Sequence, residues 1–300
     1  MARKLAFDRT LFGLVMIYSA SAVIALERFG NAHLFLVKQA IAAVVGIGGM
    51  VVAMQIDYRR LLKRPVVYFG ILASTVLMIV ALASDRTHQV HRWIVLGPAQ
   101  FQPSEIGKLA LVLFLAGLRW KYLLVSGGAC AVAIGLLILQ APYRVRRMIS
   151  FMNPDDDPLG AGFQVRQSIL AVASGGLHGQ GVGESRQKLF FLPEPHTDFV
   201  FSVISEELGL IGAAAVIAAF GVLFWRGVVA AAGAPDRGGY YLGMGITTWF
   251  VAQAMMNMAV TLGLMPTKGI PLPFLSYGGS SLVVSLCALG VLLNISQHSS

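Results

Sequence analysis

The sequence predicts an all-α, polytopic helical membrane protein with about eight transmembrane helices and one large external loop. Of its 300 residues, 56% are hydrophobic and only 12% are charged, whereas soluble domains carry about 25% charged residues. The mean hydropathy is +0.72, and the apolar residues form long runs rather than the alternating ten-residue segments of a membrane β-barrel. These observations exclude a soluble enzyme and a disordered protein.

Eight apolar runs approach the length of roughly 20 residues that a helix needs to cross a bilayer. They lie at about 10–26, 34–55, 65–84, 103–118, 122–141, 199–225, 240–263 and 275–294. The run 103–118 is short and contains Glu105 and Lys108, so hydropathy alone indicates it only weakly. No repeat or low-complexity linker divides the chain, and residues 1–300 are therefore predicted to form a single membrane domain.

The distribution of basic residues predicts the orientation, because Lys and Arg collect in cytoplasmic loops. Basic residues occur at Arg3, Lys4 and Arg9 and again in the loops near 59–64, 119–121 and 226–237. An even number of spans then places both termini in the cytoplasm. The net charge of +9 is explained in the same way, since no basic stripe interleaved with aromatic residues indicates nucleic-acid binding.

Residues 142–198 are predicted to form a large extracytoplasmic loop. A loop of this length exceeds what a simple connection requires, and long loops on a rigid scaffold tend to carry function. Its stretch Gln164–Ser174 is expected to form a helix that partly re-enters the membrane, which is tolerated only where the helix is buried in protein or lines a cavity.

Ionisable residues within or beside the spans indicate a functional site. Glu105 and Lys108 share one helical face and can pair, either as a structural lock between helices or as part of the site. Asp198 precedes an apolar helix, where it is either an N-cap or a functional carboxylate. Acidic and basic groups thus converge near the external face, which suits an amphiphile with a charged head but does not separate an enzyme from a transporter.

Five blocks of motifs, in order across positions 92–281, resemble the SEDS family (FtsW, RodA, SpoVE). They are Arg92-Trp93-Ile94 with Gln102-Pro103-Ser104-Glu105 and Lys108; the loop motifs from Pro142-Tyr143-Arg144 to Gly181-Val182-Gly183; Leu192-Pro193-Glu194 with His196-Thr197-Asp198-Phe199; Glu206-Glu207-Leu208-Gly209; and Pro266-Thr267-Lys268-Gly269 with Ser276-Tyr277-Gly278-Gly279-Ser280-Ser281. The residues of the loop motifs are more similar to those of the division branch of the family than to those of the elongation branch.

The resemblance implies a peptidoglycan glycosyltransferase of the bacterial cytoplasmic membrane that polymerises lipid II on the outer face during cell division or cell-wall synthesis. It also implies a class B penicillin-binding protein and divisome proteins as partners. Asp198 matches the catalytic aspartate of the family, with the proposed role of a general base that deprotonates the acceptor sugar hydroxyl.

The resemblance further implies which residues surround that base. Lys268 would balance the pyrophosphate charge, with Arg144, Arg147 and Lys188 as weaker candidates. The other substrate-binding positions implied are Glu194, His196, Thr197, Ser276, Gly278, Gly279 and Ser280, and the supporting positions are Arg92, Glu206 and Glu207. A divalent cation, Mg²⁺ or Mn²⁺, is a possible cofactor, although the sequence shows no ligand set for it.

The sequence departs from the family in one place. Family members have ten spans, but here residues 108–112 resemble the start of the fourth span and residues 114–120 the end of the sixth. Both of those spans run from outside to inside, so an internal deletion of about two spans preserves the topology downstream. Two alternatives to the enzyme stay open: a lipid II flippase, and an inactive, truncated division scaffold.

Overall fold

A computed structural model describes residues 33–84, 93–96, 99–117, 161–185, 196–266 and 269–298, together with positions 26, 30, 31 and 128. The described part is helical apart from one short hairpin. Its elements, in order, are α1 (Leu34–Gln55), α2 (Tyr58–Leu61), α3 (Arg64–Ser84), β1 (Ile94–Leu96), β2 (Ala99–Phe101), α4 (Pro103–Ala116), α5 (Ala161–Ser174), α6 (Val200–Ala232), α7 (Arg237–Thr261) and α8 (Gly279–Gln297). The predicted spans 10–26 and 122–141 lie outside the described residues.

Four of the described helices are long and apolar enough to cross a membrane, namely α1, α3, α6 and α8. Helix α7 has 25 residues and is long enough as well, but polar side chains on one face lower its hydropathy. Helix α4 has only 14 residues, about 21 Å at 1.5 Å per residue, which is short of the hydrocarbon thickness of about 30 Å. These helices confirm the predicted all-α membrane fold.

A two-stranded antiparallel hairpin between α3 and α4 was not predicted from the sequence. Strands β1 and β2 pair Ile94 with Phe101 and Leu96 with Ala99. The hairpin leads directly into Pro103, which occupies the first turn of α4 where a missing backbone N–H costs nothing. The hairpin therefore fixes where α4 begins.

Helices α1 and α8 form the most extensive helix–helix contact among the described residues. Gly290 of α8 lies against the backbone of α1, and a Cβ placed on it would be 2.5 Å from the carbonyl oxygen of Met50. On the other side of the contact, a Cβ on Gly46 would be 2.6 Å from Cδ1 of Leu286. Small residues let membrane helices approach closely and gain dispersion contacts, so these two glycines set the spacing of the pair.

A cluster of hydrogen bonds around Asp236 lies at the start of α7, on the predicted cytoplasmic side. The carboxylate of Asp236 accepts hydrogen bonds from the Tyr58 hydroxyl at 2.7 Å, from Nε of Arg59 at 3.0 Å and from the backbone N–H of Gly239 at 2.7 Å. Burial raises the pKa of Asp236, but these hydrogen bonds outweigh burial and hold its pKa below the usual value. Asp236 is therefore ionised at neutral pH and joins α2 to the start of α7.

Helix α6 is broken at Gly209, which has φ 67° and ψ −163°. The break releases the N–H groups of residues 210 and 211 and the carbonyl groups of residues 206 and 207 from their helical hydrogen bonds. Backbone polar groups at membrane depth must find partners inside the protein. The predicted span 199–225 is therefore two helical segments, and the continuous part runs from residue 210 to residue 232.

The turn that follows α5 satisfies all four released groups. The N–H groups of Gln180 and Gly181 donate to the carbonyl oxygens of Glu206 and Glu207, each at 3.0 Å. In the opposite direction, the N–H groups of residues 210 and 211 donate to the carbonyl oxygens of residues 176 and 177, at 2.9 and 3.4 Å. The helix expected within Gln164–Ser174 is present as α5, and its C-terminal turn fills the break in α6.

We expect Gly175→Ala to destabilise the protein by about 2 kcal/mol, in the range for overpacking. A Cβ at this position would collide with the carbonyl oxygen of Ser205, and backbone cannot move aside as a flexible side chain can. Thermal unfolding of the detergent-solubilised protein measures the effect. Gly221→Ala is the matched control, because open space surrounds Gly221 in α6 and alanine favours a helix by up to about 1 kcal/mol. Equal melting temperatures for the two variants would contradict the insertion of this turn into α6.

Candidate functional site

Asp198 lies in a turn, residues 196–198, immediately before α6, where its carboxylate is half-buried. Phe199 is the N-cap residue of α6, so Asp198 lies one position before the cap. The Asp198 carboxylate lies close to the loop before α8. A Cβ placed on Gly269 would lie 3.1 Å from Oδ2 of Asp198, so the carboxylate lies next to the backbone at Gly269.

Helix α7 carries a stripe of polar side chains that fastens both of these loops. Nδ2 of Asn257 donates to the carbonyl oxygens of Asp198 and Ile270, each at 2.8 Å. One turn earlier, Nε2 of Gln253 donates to the carbonyl oxygen of Pro271 at 2.8 Å. The turn that holds Asp198 and the segment 269–271 are therefore bound to one rigid helix.

Glu105 and Lys108 form the ion pair that their spacing predicted. Nζ of Lys108 is 2.8 Å from Oε2 of Glu105, and Glu105 is buried. Nζ of Lys108 also donates to Oε1 of Gln253 at 2.9 Å and lies 5.3 Å from the ring centroid of Trp249. The pair on α4 is thus linked through Gln253 to the loop that contains Pro271.

His196 belongs to an aromatic cluster beside Asp198. Its ring centroid is 4.8 Å from that of Phe35 on α1 and 5.6 Å from that of Tyr277, and the Phe35 and Tyr277 rings meet edge to face at 5.0 Å. The backbone N–H of Tyr277 donates to the carbonyl oxygen of His196 at 2.8 Å. The cluster therefore holds the turn with Asp198 against the start of α8 and the N-terminal end of α1.

The polar residues of the segment 276–280 make bonds that join neighbouring elements. The Ser276 hydroxyl accepts from the N–H of Leu272 at 2.8 Å, and the N–H of Gly278 donates to Oε1 of Gln39 at 3.2 Å. The Ser280 hydroxyl accepts from the N–H of Gln102 at 3.3 Å, which ties α8 to the start of α4. Gly279, predicted as a substrate contact, is the first residue of α8. Thr197 lies half-buried next to Asp198.

Glu206 and Glu207 are buried in the short segment of α6 between Asp198 and the break at Gly209. Oε2 of Glu206 accepts a hydrogen bond of 2.5 Å from the hydroxyl of Ser185. Because the backbone carbonyl groups of both glutamates also pair with the turn after α5, these residues support the segment that leads from Asp198. A supporting role of Glu206 and Glu207 in catalysis stays a prediction.

Several predicted site residues lie outside the described residues: Arg92, Arg144, Arg147, Lys188, Glu194 and Lys268. Within the described ranges, no group of three or more His, Cys, Asp or Glu side chains is placed to hold a metal ion. Hard cations take about six oxygen ligands, and Asp198 supplies one carboxylate. The described residues therefore do not make a complete site for Mg²⁺ or Mn²⁺, and such a cation stays a prediction.

Sequence reasoning missed the amides of Gln253 and Asn257, which lie in the predicted span 240–263. Together with Trp249 and Thr261 they recur at intervals of four residues, which places them on one helical face. A regular row of amide and hydroxyl side chains in an otherwise apolar span needs partners inside the protein. That periodicity is the signal that could have found them.

The chain is similar to known proteins over nearly its whole length. The family model FTSW_RODA_SPOVE, described as "Cell cycle protein", matches residues 2–116 and 109–300. The chain belongs to the FtsW/RodA/SpoVE family. It is 39% identical to the probable peptidoglycan glycosyltransferase FtsW of Geobacter sulfurreducens, over 98% of this chain and 94% of that protein. It is 40% identical to the stage V sporulation protein E of Bacillus subtilis, over 96% of this chain and 93% of that protein.

Solved structures of the FtsW/RodA/SpoVE family share the fold. A chain from a structure titled "Structural coordination of polymerization and crosslinking by a peptidoglycan synthase complex" superposes with a TM-score of 0.75 at 28% identity, covering 99% of this chain and 96% of that one. The crystal structure of the rod shape determining protein RodA from Thermus thermophilus gives a TM-score of 0.69 at 27% identity, covering 99% and 95%.

The family match also locates the internal deletion. The two matched stretches overlap at residues 109–116, within α4, where the motifs indicate that two family spans are fused. The alignment with the Geobacter protein is 349 positions long and holds 98% of the 300 residues, so about 55 of its positions have no counterpart here. At about 20 residues per span, this length corresponds to two spans and their connections.

We expect Lys108→Met to destabilise the protein by about 3 kcal/mol, because it leaves the buried Glu105 carboxylate without its cation. The double variant Glu105→Gln/Lys108→Met should lose less than Lys108→Met alone, since it removes both charges. Melting temperatures of the wild type, both single variants and the double variant form a double-mutant cycle that measures the coupling. Additive effects of the two substitutions would show that the ion pair between Glu105 and Lys108 does not contribute to stability.

Proposed function

We propose that this chain is a peptidoglycan glycosyltransferase that polymerises lipid II, with Asp198 as the general base. The observation that carries the proposal is the position of the Asp198 carboxylate beside Gly269, at a junction that Asn257 holds from α7. Relatives that match nearly the whole chain are named probable peptidoglycan glycosyltransferases. The junction lies among the helices that this shortened chain retains.

In the proposed reaction Asp198 removes the proton from the hydroxyl of the acceptor sugar. The oxygen forms a bond to the anomeric carbon of the donor sugar as the bond from that carbon to the pyrophosphate oxygen breaks. Undecaprenyl pyrophosphate leaves with both electrons of the broken bond, and the anomeric configuration inverts. A general base must come within about 3 Å of the proton it removes, and a half-buried carboxylate at the end of a membrane helix suits a substrate whose lipid stays in the bilayer.

Cationic side chains would stabilise the negative charge that develops on the leaving pyrophosphate. Lys268 is the first candidate, because it directly precedes Gly269, the residue beside the Asp198 carboxylate. Arg144, Arg147 and Lys188 are further candidates from the sequence. A bound Mg²⁺ or Mn²⁺ would supply additional charge neutralisation.

We propose the bacterial cytoplasmic membrane as the location, with both termini in the cytoplasm and Asp198 on the outer face. The apolar helices establish a multi-pass membrane protein, and the distribution of Lys and Arg supports the orientation. We also propose a class B penicillin-binding protein of the division machinery as partner. The similar chain in the peptidoglycan synthase complex supports a partner that crosslinks the strand as it is made.

We expect Asp198→Ala to abolish the formation of glycan strands from lipid II by the purified protein with its cognate transpeptidase, because the variant lacks the carboxylate that takes the proton. Gel electrophoresis of the polymer measures the activity. Asp57→Asn is the matched control, since Asp57 caps α2 on the predicted cytoplasmic side and asparagine caps equally well.

Polymer that persists in Asp198→Ala would contradict the role of Asp198. The division scaffold would instead be favoured by two results together. The wild-type chain would make no polymer, and the wild type and Asp198→Ala would rescue a strain depleted of its division polymerase equally well.

A further inference from the structure

We propose that Asn257 is the positioning residue for Asp198, and this inference rests on the function proposed above. Asn257 is 1% exposed and belongs to α7, not to the turn that contains Asp198. Its amide nitrogen donates to the backbone of Asp198 itself and to the backbone of Ile270, each at 2.8 Å. One side chain thus connects the residue that carries the carboxylate to the segment that faces it.

The chemistry of the amide determines its orientation. Nδ2 of asparagine has two N–H groups and Oδ1 has none, and both partners of the nitrogen are carbonyl oxygens. Turning the amide over would place Oδ1 against two other oxygens, which is repulsive. Each N–H group therefore has one acceptor, and the distance between the two loops is set by a single planar group.

The position of Gly269 explains why this distance matters. Gly269 precedes Ile270, and a Cβ on it would lie 3.1 Å from Oδ2 of Asp198. The carboxylate is therefore packed close to the backbone of the segment that Asn257 holds. A shift of Ile270 relative to Asp198 changes the position of the carboxylate, and misplacement of a reacting group by about 1 Å can cost roughly 100-fold in rate.

Gln253 provides an independent second attachment of the same segment. Its Nε2 donates to the carbonyl oxygen of Pro271 at 2.8 Å, while its Oε1 accepts from Lys108 and from the indole N–H of Trp249, each at 2.9 Å. Segment 269–271 is thus fixed to α7 at two consecutive carbonyl groups. Gln253 binds this segment, Lys108 of α4 and Trp249 of its own helix, whereas Asn257 binds Asp198 itself, which distinguishes the role of Asn257.

The test compares Asn257→Asp with the same substitution at Asn294, in the intact protein with its cognate transpeptidase. Asn294 is equally buried. Its Nδ2 donates to the carbonyl oxygen of Met54 at 2.8 Å, and its Oδ1 accepts from the N–H of Tyr58 at 3.0 Å, at the opposite end of α8 from the site. Both substitutions place a buried carboxylate against backbone carbonyl oxygens, two of them at Asn257 and one at Asn294, so Asn294→Asp controls for burying a carboxylate away from the site. The readouts are kcat and KM for lipid II polymerisation and the melting temperature.

We expect Asn257→Asp to lower kcat by roughly 100-fold with KM within about twofold of the wild type, because the base moves while the contacts to substrate remain. Asn294→Asp should keep the wild-type kcat, and all kcat values are measured well below the melting temperature of each variant, so that loss of folded protein does not enter the comparison. Asn257→Gln retains the donor on a longer arm and should recover about tenfold of the lost kcat.

Three results would overturn the positioning role: a kcat for Asn257→Asp equal to the wild type, a rise in KM at unchanged kcat, or losses equal to those of Asn294→Asp. If Asn257→Asp does not fold, Asn257→Gln decides alone, because a kcat at the wild-type value or a change in KM only would contradict the proposal. An inactive wild type or an active Asp198→Ala would refute the proposed function instead, so the two failures are distinguishable.

Discussion

Two amide side chains on α7 hold the site together. Asn257 and Gln253 donate to the consecutive carbonyl groups of Ile270 and Pro271, in a part of the protein where unpaired backbone groups are costly because water is scarce. The same two side chains reach outward to Asp198 and to Lys108. The turn with the carboxylate, the loop before α8 and the ion pair on α4 are therefore all placed by one helical face.

This arrangement explains how a chain shorter than its relatives keeps the junction around Asp198. Asn257 and Gln253 of α7 and Gln39 of α1 bind the turn and the loop at the junction, and the deletion falls within α4, where the two family matches overlap at residues 109–116. Because the fused spans run in the same direction, α4 still presents Glu105 and Lys108 to α7. The deleted spans supply none of the hydrogen bonds described between α7 and the two loops.

The sequence predicted the features that depend on local pattern and left out those that depend on distant partners. Apolar runs predicted α1, α3 and α8, and the i, i+3 spacing predicted the pair of Glu105 and Lys108. The break at Gly209 was not predicted, because it depends on backbone groups near residue 180. Asn257 was missed for the same reason, since its two acceptors lie 59 and 13 residues away, and Asp198 was identified by motif resemblance rather than by spacing.

The contact between α4 and α7 tests the account most directly, because the fused span must pack against the polar helix. A Cβ on Gly245 lies 3.9 Å from the Cβ of Val112, a separation that a disulfide bridges. With Cys130 and Cys287 replaced by serine, the pair Val112→Cys/Gly245→Cys should crosslink on mild oxidation in membranes, as detected by mass spectrometry of the linked peptides. The pair Leu111→Cys/Gly245→Cys should not, since Leu111 is 51% exposed on another face of α4. Failure of the first pair, or equal crosslinking of both, would contradict the packing of the fused span against α7.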